Sequence, residues 1–280
     1  MNFKKIIPLA SALVLTIRGR VLHLGKTNEI TFNLRVINNR KNDNEFSLLL
    51  YVNYNKIPFF INGETFDVYN FNVKSGEEIN IPVNLDSSYF TNKINPLLVA
   101  VIPVNFIENE FNNLGIDEFS GTCVRYDFVR DDIDYSDIKQ EDKKVSFTNV
   151  EREDSTLIIN KDYLDMNNLK ICNETIKVSN NKNNKFALRA GGKGAETYIA
   201  LLNISNSQLN INTNKYWFFN TAPENKLVFK KFELDVNELE NGNYSMYGFI
   251  IPRPFDIIDE NDTLKYAVQI SEKIKVEVVK

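Results

Sequence analysis

Histidine and cysteine are almost absent from this chain of 280 residues, which contains one histidine, His23, and two cysteines, Cys123 and Cys172. Two cysteines are too few for a fold built on disulfides, and neither a CxxC pair nor the Cys/His spacing of a zinc site occurs. A lone histidine excludes a multi-histidine metal centre, and no GxSxG motif or paired Cys and His indicates nucleophilic catalysis. We therefore predict no catalytic residue, while glycoside hydrolysis, which needs only two carboxylates, stays open.

The two cysteines leave two interpretations. A disulfide between Cys123 and Cys172 would link the two halves of the chain, and export would permit it. Two buried thiols are the simpler account, because no base is paired with either sulfur.

Excess positive charge is also lacking. The formal net charge is −4 and the sequence pI is about 5.3. No stripe of Lys and Arg occurs, whereas phosphate binding needs a concentrated positive surface. The charge pattern therefore predicts that nucleic acid is not a partner.

A long apolar run is missing as well, and the N-terminal one, residues 6–17, is shorter than the 20 or so residues that cross a bilayer. We therefore expect no integral membrane span. The cationic start MNFKK followed by this run is typical of a secretory signal, so residues 1–17 are predicted to be a signal or apolar N-terminal segment. In the alternative interpretation, residues 13–17 form the buried first strand of a cytosolic protein.

Aromatic residues and asparagine are abundant: 20 Phe, 12 Tyr and 40 Asn. Aromatic side chains favour half-buried pleated surfaces, and asparagine favours turns. Residues 29–38, EITFNLRVIN, alternate as a strand with one buried face does, whereas residues 47–52, SLLLYV, suggest a strand covered on both faces. Hairpin turns are predicted at the dipeptides Asn62-Gly63, Ser75-Gly76 and Asn241-Gly242.

Two segments of the chain repeat one pattern. Residues 99–114 and 248–264 both contain a strand, an Ile-Pro corner, a phenylalanine and an acidic loop, and Pro103 and Pro252 are 149 positions apart. Four further matches keep the same order, with offsets that fall from 167 to 144: 24–39 with 191–206, 55–60 with 214–219, 79–84 with 232–237, and 122–126 with 266–270. A repeat of this kind indicates internal duplication.

Each half is long enough to close its own core, as a β-sandwich does with about one hundred residues. The sequence therefore predicts an all-β protein of two tandem Ig-like β-sandwich domains that arose by internal duplication. The predicted boundaries are 18–150 for the first domain and 151–280 for the second.

Two acidic loops are candidate calcium sites. Asp132 and Asp134 have the spacing of an oxygen cage, and Asp256, Asp259 and Asp262 follow the second Ile-Pro corner. The first loop lacks the glycine and the final glutamate of an EF-hand. Solvated loops are the alternative, and apart from calcium no cofactor is expected.

Trp217 is the predicted ligand or partner contact, with Tyr216 beside it. It aligns with Pro58, and proline is confined to edges, ends or bulges of sheets because it donates no ladder hydrogen bond. An indole at such a place could cover a sugar or a protein surface. The alternative is that the ring folds back onto the core of its own sandwich.

The strand rhythm and composition of the whole chain resemble the Ig-like modules of bacterial surface proteins. The resemblance implies a non-enzymatic, secreted or cell-surface protein with a structural or adhesive binding role and a protein or glycan partner. Two alternatives stay open: a carbohydrate-binding or glycan-processing protein, and a homo-oligomeric filament subunit that assembles by exchange of its N-terminal strand.

Overall fold

The molecule is described by a computed structural model. The described residues are 13–16, 20–24, 29–39, 42–104, 121–130, 150–151, 156–161, 175–179, 184–191, 197–220, 226–271 and 273–280. No helix within these ranges is long and apolar enough to cross a membrane.

The first half of the chain forms a sandwich of two sheets. Its outer sheet has the order β1 (Leu13–Thr16), β3 (Glu29–Asn38), β9 (Glu78–Asp86), β6 (Phe59–Ile61) and β7 (Glu64–Phe66). Its inner sheet has the order β2 (Val21–Leu24), β11 (Thr122–Arg130), β10 (Ile94–Pro103), β4 (Asn44–Val52) and β5 (Asn55–Ile57), and β8 (Tyr69–Val73) also pairs with β4.

The second half forms another sandwich. Its outer sheet has the order β12 (Val150–Glu151), β19 (Lys226–Glu233), β15 (Lys185–Gly191) and β13 (Thr156–Lys161). Its inner sheet has the order β14 (Ile176–Val178), β22 (Ile274–Val278), β20 (Gly242–Pro252), β16 (Thr197–Ile204) and β17 (Ser207–Leu209). In this inner sheet β18 (Trp217–Asn220) also pairs with β16, and β21 (Gln269–Ile270) pairs with β20.

The hydrophobic pattern decides which face of each strand is buried. In β3, Ile30, Leu34 and Val36 pack into the core of the first sandwich, whereas Thr31 and Asn33 are exposed on the other face. This is the alternation predicted from the sequence, and it arises because successive side chains of a strand point to opposite faces.

The two inner sheets pack against each other through an apolar layer, which we call the seam. In β4, Leu48 and Leu50 face the core of the first sandwich while Leu49 and Tyr51 face the seam, so the strand is covered on both faces, as its continuous apolar run predicted. The molecule is thus a stack of four sheets. The buried residues of the seam are Leu49, Tyr51, Tyr54, Leu98, Ala100, Ile102, Cys123, Ile199, Leu201, Tyr247, Phe249 and Ile251.

The same strand pairings occur in both sandwiches, which confirms the predicted duplication of an Ig-like sandwich. β1 pairs antiparallel with β3 in the first outer sheet, as β13 pairs with β15 in the second. β2 pairs parallel with β11 in the first inner sheet, as β14 pairs with β22 in the second. The two Ile-Pro corners are equivalent, since Pro103 is paired with Phe46 of β4 and Pro252 with Tyr198 of β16.

Several of the predicted motif matches are nevertheless wrong in register. Residues 191–206 include β16, which occupies the place of β4 and not that of β3. Ala100 and Phe249 are equivalent, since each lies three residues before the proline of its corner. Ala100 is paired with Cys123 and Phe249 with Ile270, so Cys123 corresponds to Ile270. The sequence match had aligned Cys123 with Ala267, three residues earlier. Many strands and turns of this chain have a similar apolar and Asn-rich composition. A short sequence match can therefore align strands that are not equivalent.

One of the three predicted hairpins is present. Asn62 and Gly63, both with positive φ, connect β6 with β7, as a two-residue hairpin turn requires. The other two dipeptides belong to connections between strands of different sheets: Ser75-Gly76 lies between β8 and β9, and Asn241-Gly242 lies where the connection from β19 enters β20.

The ends of the predicted domains also contain strands. Leu13–Thr16, within the predicted N-terminal segment, pairs with β3 and belongs to the outer sheet of the first sandwich. A strand at this position agrees with the alternative interpretation, in which these residues form the first strand of the fold. The predicted boundary between residues 150 and 151 lies inside β12, which pairs with β19.

Candidate functional site

A buried ion pair lies on β11 at the seam. Cys123, Arg125 and Asp127 alternate on the strand, so all three face the second sandwich, while Tyr126 and Phe128 face the first core. Nε of Arg125 donates to Oδ1 of Asp127 at 2.8 Å, and Nη2 donates to Oδ2 at 2.9 Å. Both side chains are 0% exposed.

The ion pair is bonded to the loop that follows the second Ile-Pro corner. Nη1 of Arg125 donates to the carbonyl oxygen of Arg253 at 2.7 Å, and Nη2 donates to that of Asp256 at 2.6 Å. The backbone N–H of Ile258 donates to Oδ2 of Asp127 at 2.9 Å. We call Arg125, Asp127 and residues 253–258 the clamp. The planar, five-donor guanidinium of arginine suits this role because it bonds the carboxylate and the carbonyls simultaneously.

Each member of the pair favours the charged form of the other. Burial raises the pKa of Asp127, and the charge of Arg125, its hydrogen bonds and the N–H of Ile258 offset only part of that rise. Burial lowers the pKa of Arg125, but Tyr54 and Asp127 outweigh it, so that pKa is raised. The guanidinium therefore keeps its proton, and it is the group that makes a buried carboxylate at position 127 tolerable.

Tyrosine hydroxyls add further bonds across the seam. The hydroxyl of Tyr54 donates to the carbonyl oxygen of Pro254 at 2.5 Å, and that of Tyr51 donates to Oδ1 of Asn203 at 2.8 Å. Burial raises the pKa of Tyr51, Tyr54 and Tyr247. These phenols therefore stay neutral and act as hydrogen-bonding groups.

Two strands bridge the seam at another of its margins. The backbone N–H of Lys56, in β5, donates to Oε1 of Gln208 at 2.9 Å, and Nε2 of Gln208, in β17, donates to the carbonyl oxygen of Tyr54 at 2.9 Å. Nζ of Lys56 donates to the carbonyl oxygen of Asn206 at 2.5 Å. The seam thus combines an apolar centre with polar bonds from backbone to side chain.

Trp217 does not have the position that the sequence predicted. It is 5% exposed, belongs to the core of the second sandwich and stacks on Phe219 with ring centroids 4.5 Å apart. Its strand, β18, pairs with β16 as β8 pairs with β4, so Trp217 corresponds to Tyr69 and not to Pro58. The prediction that Trp217 is accessible is therefore wrong. The structure shows the alternative, in which the ring packs into the core of its own sandwich.

Tyr216, the other predicted contact, is 37% exposed. Its ring lies edge-on against Tyr54, with centroids 5.9 Å apart, at the margin of the seam. A contact role for Tyr216 remains a prediction.

The predicted calcium ligands do not converge where they are described. Asp256 accepts from Nη1 of Arg253 at 3.3 Å, Oδ1 of Asp259 accepts from the N–H of Asn261 at 2.9 Å, and Asp262 pairs with Lys265 at 2.6 Å. Within the described ranges no group of three or more His, Cys, Asp or Glu side chains could hold a metal ion. Asp132 and Asp134 lie outside those ranges.

His23 and Cys123 occupy different places. His23 is an exposed residue of β2, whereas Cys123 is a buried free cysteine of the seam. Burial raises the pKa of the Cys123 thiol, which opposes formation of a nucleophilic thiolate. Cys172 lies outside the described residues.

Sequence reasoning missed the clamp, although a signal was present. The strand TCVRYDFVR places Arg125 and Asp127 two residues apart in a run that is otherwise largely apolar, so both charges fall on one face of a strand with neighbours on both sides. Charged side chains are fully buried almost exclusively in pairs. The spacing predicts the pair, but the backbone groups of a loop 128 or more residues away cannot be found from it.

Comparison with known proteins adds no family. No family model and no curated protein matches the chain. Among solved structures, the chain is similar to a transglutaminase of red sea bream, at 8% identity and a TM-score of 0.27, over 96% of this chain and 32% of that one. The chain thus spans about a third of that protein's length.

Two further structures are similar. One is a CARDB domain from Pyrococcus furiosus in complex with di-metal ions: 14% identity, a TM-score of 0.28, and coverage of 52% of this chain and all of that one. The other is the Salmonella enterica SafA pilin in complex with the SafB chaperone: 10% identity, a TM-score of 0.29, and coverage of 95% and 96%. At these TM-scores the similarity carries no argument about function.

Proposed function

We propose that this protein is a non-enzymatic, exported binding protein with a structural or adhesive role at a cell surface, and that its two Ig-like sandwiches act as one rigid block. The observation that supports this proposal is the seam. It joins the central strands of both inner sheets, and the clamp fastens a loop of one sandwich to a strand of the other.

The seam favours a mechanical role over a catalytic one. Buried groups with strongly shifted pKa values mark active sites when they face a cleft. Here Arg125, Asp127 and the three tyrosines are buried between two sheets and bond to protein groups, so a substrate has no access to them. Their bonds stabilise the association of the sandwiches.

A rigid pair of sandwiches suits adhesion. Domains joined by a linker alone move relative to each other, whereas a large hydrophobic interface fixes their orientation. Surfaces on the two sandwiches are then held at constant spacing, so the protein itself loses less conformational freedom when a partner binds to both.

Export is the part of the proposal that rests on the N-terminal sequence, with its cationic start and short apolar run. The test is to express the full chain in a bacterium, separate cytosol, envelope and medium, and sequence the N-terminus of the recovered protein. We expect the protein outside the cytosol and accessible to added protease on intact cells. Retention of all the protein in the cytosol would contradict the proposal.

Strand exchange between copies is a second candidate function, supported by one observation. Among the described strands, β1 ends the order of its outer sheet, and its residues come from the apolar N-terminal segment. An equivalent strand of another copy could pair with β3 in the same register. Light scattering over a concentration series should then show filaments that disappear when residues 1–17 are removed; a monomer at all concentrations would contradict this candidate.

A further inference from the structure

The solvent face of the outer sheet in the first sandwich carries an exposed phenyl ring among polar groups. Phe60 of β6 is 37% exposed, while its neighbours Phe59 and Ile61 are buried in the core. A large aromatic side chain on an otherwise polar surface indicates a contact site when polar groups converge beside it.

Polar side chains lie in one row with this ring. Phe60 is paired with Asn84 of β9 and with Thr65 of β7, and Asn84 is paired with Thr31 of β3. Thr31, Phe60 and Asn84 are on the solvent face, because the residues beside them in each strand point inward, and Thr65 is exposed on the strand next to Phe60. Adjacent strands are about 4.8 Å apart, so the row is about 14 Å long.

A groove opens at this row. Its volume is about 550 Å³, within the range of small-molecule sites, and it is lined by Phe60, Asn84, Glu29, Asp86, Ser87 and Ser88 among others. Asp86 is fixed in place, since its Oδ1 accepts from the N–H of Ser88 at 2.8 Å. That bond lowers the pKa of the Asp86 carboxyl, so it remains an acceptor at neutral pH.

The lining has the chemistry that a sugar requires. Carboxylates accept hydrogen bonds from hydroxyl groups, the amide of Asn84 both donates and accepts, and the serine hydroxyls do both. A phenyl ring offers a flat apolar surface to the C–H face of a pyranose. Glu29 and Asp86 give the groove negative charge, and among the residues that the structure describes no Lys or Arg lines it, which disfavours anionic glycans.

We propose that this groove, which is lined by Phe60, Asn84, Glu29 and Asp86, binds a neutral oligosaccharide. The proposal rests on the binding role given above and names its site and ligand class. Its failure would leave the seam and export untouched, because the tests of those do not involve the groove.

The test is binding of the full chain to a glycan array of neutral and sialylated oligosaccharides, followed by calorimetric titration with the best-bound neutral glycan. Phe60→Ala should weaken that affinity about tenfold or more, and Asn84→Ala should also weaken it. Val279→Ala is the matched control, since Val279 is an exposed apolar side chain, at 43%, on the other sandwich, and this variant should bind as the wild type does.

Circular dichroism checks that each variant is folded, and Asn84→Ala carries the test if Phe60→Ala is not. Three results would overturn the proposal: no neutral glycan bound on the array, an affinity unchanged in both groove variants, or a loss in Val279→Ala as large as that in Phe60→Ala. A preference for sialylated over neutral glycans would overturn the stated ligand class.

Discussion

At the scale of single residues, Arg125 and Asp127 are the most informative pair in the molecule. A fully buried ion pair contributes little net stability compared with apolar groups of the same shape, because two charges have lost their hydration. Its removal from one side only is costly, since the other charge is left buried and uncompensated. We therefore infer that the pair specifies how the sandwiches meet more than it stabilises them.

Arg125→Met tests this argument directly. We expect the variant to lose about 3–5 kcal/mol of unfolding free energy, because Asp127 would remain buried without a cation. Urea denaturation measures the loss. Arg35→Met is the matched control: Arg35 pairs with Glu78 on the surface, where both side chains are about half exposed, and it should change stability little. A loss in Arg125→Met no larger than in Arg35→Met would contradict the argument.

The raised pKa values of the seam tyrosines determine how the free energy of unfolding should depend on pH. Burial raises the pKa of Tyr51, Tyr54 and Tyr247 above the ordinary value of 10.0. The unfolded chain then loses these protons at lower pH than the folded chain does. Their contribution to stability is complete below pH 10 and falls as the pH rises towards the raised values, by about 1.4 kcal/mol per pH unit for each tyrosine.

Alkaline titration followed by phenolate absorbance and near-ultraviolet circular dichroism checks this prediction. The Tyr54 signal, obtained as the difference between the wild type and Tyr54→Phe, should appear together with unfolding. Ionisation of Tyr54 in a protein that still has its native dichroism would show that the phenol is not buried as described.

At the scale of elements, the equivalence of strands corrects the role of Trp217. In each inner sheet the strand that corresponds to β4 pairs with a short strand, β8 in the first sandwich and β18 in the second. Phe71 of β8 and its equivalent in β18, Phe219, both lie in the core of their sandwich. Trp217 follows that pattern and packs inward.

Trp217→Ala should therefore reduce the unfolding free energy by about 3–5 kcal/mol, as loss of a buried aromatic side chain does. Tyr216→Ala, one residue earlier and 37% exposed, should cost about 1 kcal/mol or less. Denaturant unfolding of the two variants provides the comparison. Equal and small losses of unfolding free energy in the two variants would show that Trp217 is accessible, and would restore it as a candidate contact residue.

Much of the element structure could be predicted from the sequence, because burial follows the period of the strand. The alternation of β3 and the two-sided burial of β4 are both properties of a few adjacent residues. The register between the repeats could not be predicted in the same way. Matching Asn-Lys or Gly-Lys pairs are short, and they lie in turns that several strands share, so they aligned β3 with β16 and Pro58 with Trp217.

The candidate sites were also predictable only where they depend on adjacent residues. An accessible position at a sheet edge was inferred for Trp217 from an incorrect match, whereas Phe60, two residues beyond the proline used in that match, has an exposed ring. Which of several outward residues lines a groove depends on strands that meet from distant parts of the chain. Asn84 and Phe60 are paired across the sheet although 24 residues separate them.

At the scale of the whole molecule, the central feature is the stack of four sheets. Continuous apolar runs in β4, β10, β16 and β20 predict that both faces of these strands are buried. The sequence of a run does not indicate which part of the molecule packs on its second face. In this protein each sandwich covers the other. Separate sandwiches would expose that apolar face, so the two are expected to fold as a single cooperative unit.

Differential scanning calorimetry of the full chain tests this claim most directly. If the seam couples the sandwiches, the protein should unfold in one transition whose calorimetric enthalpy equals its van't Hoff enthalpy. Two resolved transitions, each with the enthalpy of about half the chain, would show that the sandwiches unfold independently and would contradict the account.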